Sequence, residues 1–219
     1  MKKNIITILA LITIICITII SCGDSGSLSS MSIEKLNERG WNAFKKNNLS
    51  SAERHFAELT KRADDRAILD GHLGLGWTNL KRHRYENAKI SFDRFFEHNT
   101  TSQLYPASAI EFIDARAGQI IAMHVNREHD WVSRNSTAYH AQPAQNWEFR
   151  FDSRINHLDI RLYRAMSLWM LGNFTGCLEI VRFRDFDPLF TTEINSIEGR
   201  LRLKNKLTEL IDLRRNQNP

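Results

Sequence analysis

The sequence is short of cysteine. It has three, at Cys16, Cys22 and Cys177. Cys16 lies inside an N-terminal apolar run and Cys22 just beyond it, so Cys177 stands alone in the rest of the chain, which has no internal pair to form a disulfide. A lone thiol at a position that wants a small residue reads as buried and inert. Runs of like charge are absent too. Lys, Arg, Asp and Glu alternate, and no five cations or carboxylates stand together, although the net charge is +5. That excludes an obvious nucleic-acid footprint. The only basic cluster, Lys81-Arg82-His83-Arg84, falls in an expected turn. Catalytic and metal motifs are missing. None of the eight histidines forms the His-Glu-x-x-His pairing of a helical zinc site. Gly71, Gly74 and Gly76 have no preceding strand, so they read as close-packing positions and not as a phosphate loop. No serine stands in a nucleophile elbow. Glu128-His129-Asp130 reads as a solvated turn, and Asp64-Asp65 as helix capping. No segment carries a persuasive strand pattern.

What is present begins at the N-terminus. Lys2 and Lys3 precede an apolar run from Ile5 to Ile20. Its 16 residues fall just short of the roughly 17–25 that span a bilayer comfortably, and a charged start followed by a short apolar stretch has the form of a secretion signal. The run ends in Ile19-Ile20-Ser21-Cys22. This resembles the lipobox of bacterial lipoproteins, with an aliphatic residue three before the cysteine and a small one just before it. The resemblance implies diacylglyceryl transfer to the Cys22 thiol, cleavage after Ser21, and stable anchoring by two or more acyl chains. It implies a location outside the cytoplasm on a membrane. Gly23 follows Cys22, where an aspartate would signal inner-membrane retention in some enteric bacteria, and this favours the periplasmic side of the outer membrane. Residues 1–21 are thus an expected signal peptide, and 22–31, rich in Gly and Ser, a flexible linker. The remainder, near 198 residues and +3 once Lys2 and Lys3 are removed, suffices for one domain.

That domain repeats itself at an offset of 36. Gly40-Trp41 recurs as Gly76-Trp77, Phe44-Lys45 as Leu80-Lys81, Leu49 as Tyr85, Ala52 as Ala88, Phe56 as Phe92 and Leu59 as Phe95. A period near 34–36 points to stacked helix pairs. Leu36, Gly40 and Phe44 fall on one helical face. Gly40 and Gly76 admit a neighbouring helix, Ala52 and Ala88 do so in the second helices, and Phe56 and Phe92 fill the space between. Leu75-Gly76, Ala52 with Phe56, and Ala88 with Phe92 resemble the tetratricopeptide repeat. Arg39, Ala43 and Asn79 depart from that family's pattern, and its closing proline is absent. A diverged unit places Ala165 at the glycine, Phe174 opposite Tyr85, Cys177 at the alanine and Val181 opposite Phe92.

The expected fold is all-α: a right-handed superhelical stack of antiparallel helix pairs, TPR-like, with a C-terminal capping helix. The domain would span 32–215, with units near 32–64, 66–98, a degenerate 103–138 and 156–185, and a terminal helix in 190–215. Residues 139–154, with Pro143, read as a loop. Asn156 and Asp159 cap the helix that follows.

In the resembled family the first helices line a concave groove for peptides or partner helices. That implies a groove here formed by Trp41, Phe44, Lys45, Trp77, Leu80, Lys81, Met166 and Trp169, with Asn37 and Met170 beside them. The expected function is a non-catalytic, lipid-anchored interaction scaffold that binds another envelope protein or peptide and needs no cofactor, metal or nucleic acid. The alternative is an envelope binding protein for a small aromatic or sugar ligand, with Trp77 and Trp169 as stacking platforms. An open groove favours the first and a deep pocket the second. Coverage of the groove by residues 139–154 or by the terminal helix remains open at this level.

Overall fold

Four turns share one backbone conformation. In the computed structural model, which describes residues 27–140 and 144–217, Asn47, His83, Arg127 and Gly172 have φ of 58°, 59°, 66° and 73°. Each left-handed residue sits at the end of a helix, and the next amide donates five residues back. Asn48 N reaches Ala43 O, Arg84 N reaches Asn79 O, Glu128 N reaches Met123 O and Asn173 N reaches Leu168 O, all at 2.9 Å. This is the Schellman closure, which satisfies carbonyls a helix end would leave bare. Three of the four positions use a residue other than glycine, with Asn47 and His83 among the types that tolerate αL best.

The turns join four helical hairpins. The first is α1 (Ile33–Lys45) with α2 (Leu49–Leu59), the second α3 (Asp65–Lys81) with α4 (Tyr85–Ser102). The third is α5 (Ile110–Val125) with α6 (His129–Asn135), the fourth α7 (His157–Met170) with α8 (Phe174–Val181), and α9 (Ile197–Gln217) follows. The described residues are all-helical, about 70% in helix and without strands. Residues 27–32 belong to a separate unit, in which Leu28–Ser30 make a single 3-10 turn. The expected signal peptide, Cys22 and the start of the linker lie outside the described residues.

Each second helix packs on the first helix of its own hairpin and of the next, and the first helices α1, α3, α5 and α7 pack side by side. The α9 helix lies against α7 and α8, where Leu203, Leu207 and Leu210 join a core with Leu162, Ala165 and Cys177. Burial pushes the Cys177 thiol up to about 12, so it is neutral and inert.

Glycine sets the spacing of the first two hairpins. The Phe56 ring is clasped from both sides: a Cβ at Gly40 would stand 2.6 Å from it, and one at Gly74 2.3 Å. The Phe92 ring is held the same way by Gly76 at 2.5 Å and Gly118 at 2.2 Å. The third hairpin exchanges these volumes. Ile120 occupies the position of Gly40 and Gly76, and Ser136 that of Phe56 and Phe92, counted from the turns. Large and small trade places across one layer, which close packing tolerates. The exchange also explains why an offset built on Gly and Phe could not register this unit.

Helix starts follow local chemistry. Asp64 accepts from Ala67 N at the start of α3, and Asn156 and Asp159 form a complete capping box on α7. The first helix of the unit expected at 103–138 begins at Ile110, and the terminal helix expected within 190–215 begins at Ile197. There Gly199 is obligatory, because a Cβ would lie 1.7 Å from Glu193 O.

Candidate functional site

The chain between α6 and α7 does not pass around the array. From Ala144 it crosses the face of the first helices and returns at His157. It folds back on itself, with Phe149 N donating to Ile155 O at 2.9 Å and His157 N to Trp147 O at 2.8 Å. Two aromatic rings of this strap lie on the repeat tryptophans. Phe149 stacks on Trp77 with centroids 3.9 Å apart, and Phe151 stacks on Trp41 at 3.6 Å with planes 2° apart.

Two of the carboxylates at one repeated position hold the strap and α9. Glu34, Asp70, Asp114 and Asp159 each stand thirteen residues before a hairpin turn. Asp114 accepts from Trp147 Nε1 at 2.7 Å and from Arg150 Nε at 2.8 Å, which pins the strap to α5. Asp159 accepts from Arg214 at 2.8 Å, which pins α9 to α7. Asp70 accepts from Tyr105 Oη at 2.9 Å and Asn37 Nδ2 at 3.0 Å. Desolvation outweighs these donors at Asp70 and Asp114 and raises both carboxyls to about 6. At the strap's beginning, the fully buried Arg161 donates to Tyr139 O, Gln145 O and Asp185.

Part of the expected groove face is therefore covered by residues of the 139–154 segment. Trp41, Phe44, Trp77 and Leu80 are all less than 9% exposed; Phe151 covers Trp41, and Phe149 covers Trp77 and meets Phe44. The reason is elementary: aromatic faces of this size remain wet only if nothing in the chain can cover them, and the strap can. Lys45 is exposed, its ammonium 5.4 Å from the Phe151 ring. Trp169 is half-buried with its ring edge-on to Phe174, and Trp77, the other expected stacking platform, is covered on one face by Phe149.

Beside the strap a half-open cleft remains, about 460 Å³ in volume. Five of the eight expected residues line it: Phe44, Trp77, Leu80, Lys81 and Met166. Trp41, Lys45 and Trp169 do not. Residues not anticipated from the sequence complete it. Ile121 stands at the repeat position of Trp41, Trp77 and Met166, six residues before its turn, a register legible only once Arg127 is recognised as a hairpin turn. Ile155 comes from the strap, and Ile211, Arg214 and Arg215 from α9.

Charge is uneven at the mouth. Lys81, Arg154, Arg214 and Arg215 face two carboxylates, Asp152 and Asp159. Arg154 holds Asp152 through two bonds of 2.8 Å, and those bonds keep the Asp152 carboxyl below the usual carboxylate range.

Other reactive groups are committed elsewhere. His124 Nδ1 lies 2.8 Å from Ser167 Oγ, but Ser167 is fully buried, so no substrate reaches it. Glu128 pairs with Lys89, Asp130 with Arg134, and His129 faces Ser167, so that triplet diverges. Arg82 and Arg84 both turn to Glu53 while Lys81 turns to the cleft, so the basic run is no patch. Among the described residues no cluster of three metal-ligating side chains occurs, and no helix is long and apolar enough to cross a membrane. Comparisons of the chain with protein-family models, with curated proteins and with solved structures found no match.

Proposed function

We propose that this chain is a non-catalytic binding module of the bacterial cell envelope. The lipobox-like Ile19-Ile20-Ser21-Cys22 supports removal of residues 1–21 and lipid anchoring at Cys22, on the periplasmic side of the outer membrane in preference to the inner membrane. The four hairpins with identical turns support a TPR-like stack wound into a right-handed superhelix. The observation that carries the function is the strap. By filling the groove near α1 and α3 it leaves a compact cleft instead of an extended track, and about 460 Å³ falls within the roughly 300–1,000 Å³ of small-molecule sites. A compact apolar ligand fits this site better than a threaded peptide. It needs no cofactor and no nucleic acid.

The test is native mass spectrometry of the full chain purified from its own membranes. A bound mass should be lost on Met166→Trp, which fills the cleft from a half-buried position. No bound species, or one retained by Met166→Trp, sinks the cleft as the site. For the anchor, Cys22→Ala should abolish incorporation of labelled fatty acid and leave residues 1–21 uncleaved.

A second reading, a protein–protein scaffold, is favoured by Met170 and Leu171, which are 64% and 46% exposed beside the fourth turn. Crosslinking in native membranes with Met170→Glu distinguishes it: a scaffold loses its partner, whereas a ligand-binding module keeps its bound mass.

A further inference from the structure

We infer that the cleft receives an aliphatic chain carrying one anionic head group, a carboxylate or a phosphate, with Lys81 as the donor that reads the head. This rests on the cleft being a ligand site and adds the chemistry of its occupant.

Lys81 is loosely held inside the cleft. It lies on the same face of α3 as Trp77. Its ammonium makes long contacts, 3.4 Å to Phe44 O and 3.9 Å to Asp152 Oδ2, and lies 4.5 Å from the Phe44 ring centroid. Its side chain is largely covered. An ammonium held by long contacts can form a shorter charge-assisted bond to an anionic oxygen.

The surrounding charges agree. The two carboxylates at the mouth are already taken, Asp152 by Arg154 and Asp159 by Arg214. Four cations against two anions leave the mouth net positive, and Lys81, which shares Asp152 with Arg154 at 3.9 Å, is the loosely held cation inside the cleft.

The walls select an aliphatic body. Leu80, Ile121, Ile155, Leu162, Met166 and Ile211 supply branched and flexible apolar surface. The lining contains no Ser, Thr, Asn, Gln or Gly. An acyl chain brings no backbone N–H or C=O that the aliphatic side of the cleft would leave unmet. Trp77, the ring a flat ligand would stack on, is already covered by Phe149.

The experiment uses the full chain in mild non-ionic detergent and three photo-crosslinking probes with the same diazirine-bearing alkyl chain: a fatty acid, a lysophosphatidic acid and a fatty alcohol. Labelled peptides are mapped by mass spectrometry. The acid or the phosphate, or both, should label segments containing Leu80, Ile121 or Met166 at least about tenfold more than the alcohol, as expected when one charge-assisted contact is added. Preference between the two anionic probes assigns the source, a free fatty acid or a lipid head group. Lys81→Gln should reduce anionic labelling to the level of the alcohol, and Lys81→Arg should retain it. Equal labelling by the alcohol overturns the anion while leaving the cleft as an apolar site. Absence of cleft labelling by all three probes overturns the inference altogether, and the binding-module reading then stands or falls on the bound mass seen by native mass spectrometry.

Discussion

Phe151 lies parallel on Trp41, ring centroids 3.6 Å apart and planes 2° apart, and the same strap sets Phe149 on Trp77. An irregular segment thereby buries the two most conspicuous side chains of the repeat. Its rings occupy the face that a partner would otherwise cover.

The first prediction follows from that stacking. Phe149 is fully buried among Trp41, Phe44 and Trp77. Phe149→Ala should cost about 3 kcal/mol in urea unfolding and red-shift the tryptophan emission as Trp41 and Trp77 meet water. Half-buried Phe151 should cost less. An unshifted emission spectrum in Phe149→Ala would show that the strap does not cover these rings in solution.

Glycines should differ sharply according to place. The Phe92 ring is held between Gly76 and Gly118 and cannot retreat from an added methyl group. Gly118→Ala should destabilise by about 2 kcal/mol through overpacking, even though alanine favours helix. Gly172 has open space around it but φ of 73°, so Gly172→Ala should cost about 1 kcal/mol through backbone conformation alone. Equal losses in thermal denaturation would contradict this division.

Arg161 joins the strap to the fourth hairpin. It is 1% exposed, bonded to two backbone carbonyls and Asp185, and its guanidinium lies 3.8 Å from the Phe183 ring centroid. Arg161→Met keeps the volume but strands those acceptors, and should cost about 3 kcal/mol. Hydrogen exchange should quicken first in residues 144–156; protection unchanged there would refute the role.

Acid stability should reflect two opposing sets of groups. Burial lowers His72, His124 and His140 to about 4 from the usual value near 6.5. Between about pH 6.5 and 4 the unfolded chain binds protons that these folded rings refuse, so stability falls with pH. Asp70 and Asp114, raised to about 6, bind protons in the folded state before the unfolded chain does. Their contribution therefore rises as pH falls from about 6 to 4. Three groups against two leave a net loss. Urea midpoints at pH 7 and pH 4.5 should show it, and Asp70→Asn with Asp114→Asn should steepen it. A shallower dependence in that double variant would reverse the assignment.

The sequence carried much of the fold. The offset of 36 linking Gly40, Ala52 and Phe56 to Gly76, Ala88 and Phe92 marks two hairpins, because clasping a phenylalanine between glycines requires those residue types at that spacing. The cap at Asn156 and the buried Cys177 were legible for similarly local reasons. The third hairpin was blurred because Ile120 and Ser136 exchange the volumes of Gly and Phe. Its cleft residue Ile121 went unseen with it.

Helix content, repeat register and the set of aromatic residues on the first-helix face follow from interactions within about one hairpin, and so are written locally in the chain. What covers that face depends on contacts between distant segments. Asp114 receives Trp147 and Arg150 from more than thirty residues away, and Asp159 receives Arg214 from 55 residues away. No periodicity encodes such pairings, because their free energy comes from desolvating aromatic rings and matching buried charges that meet only once the helices have stacked.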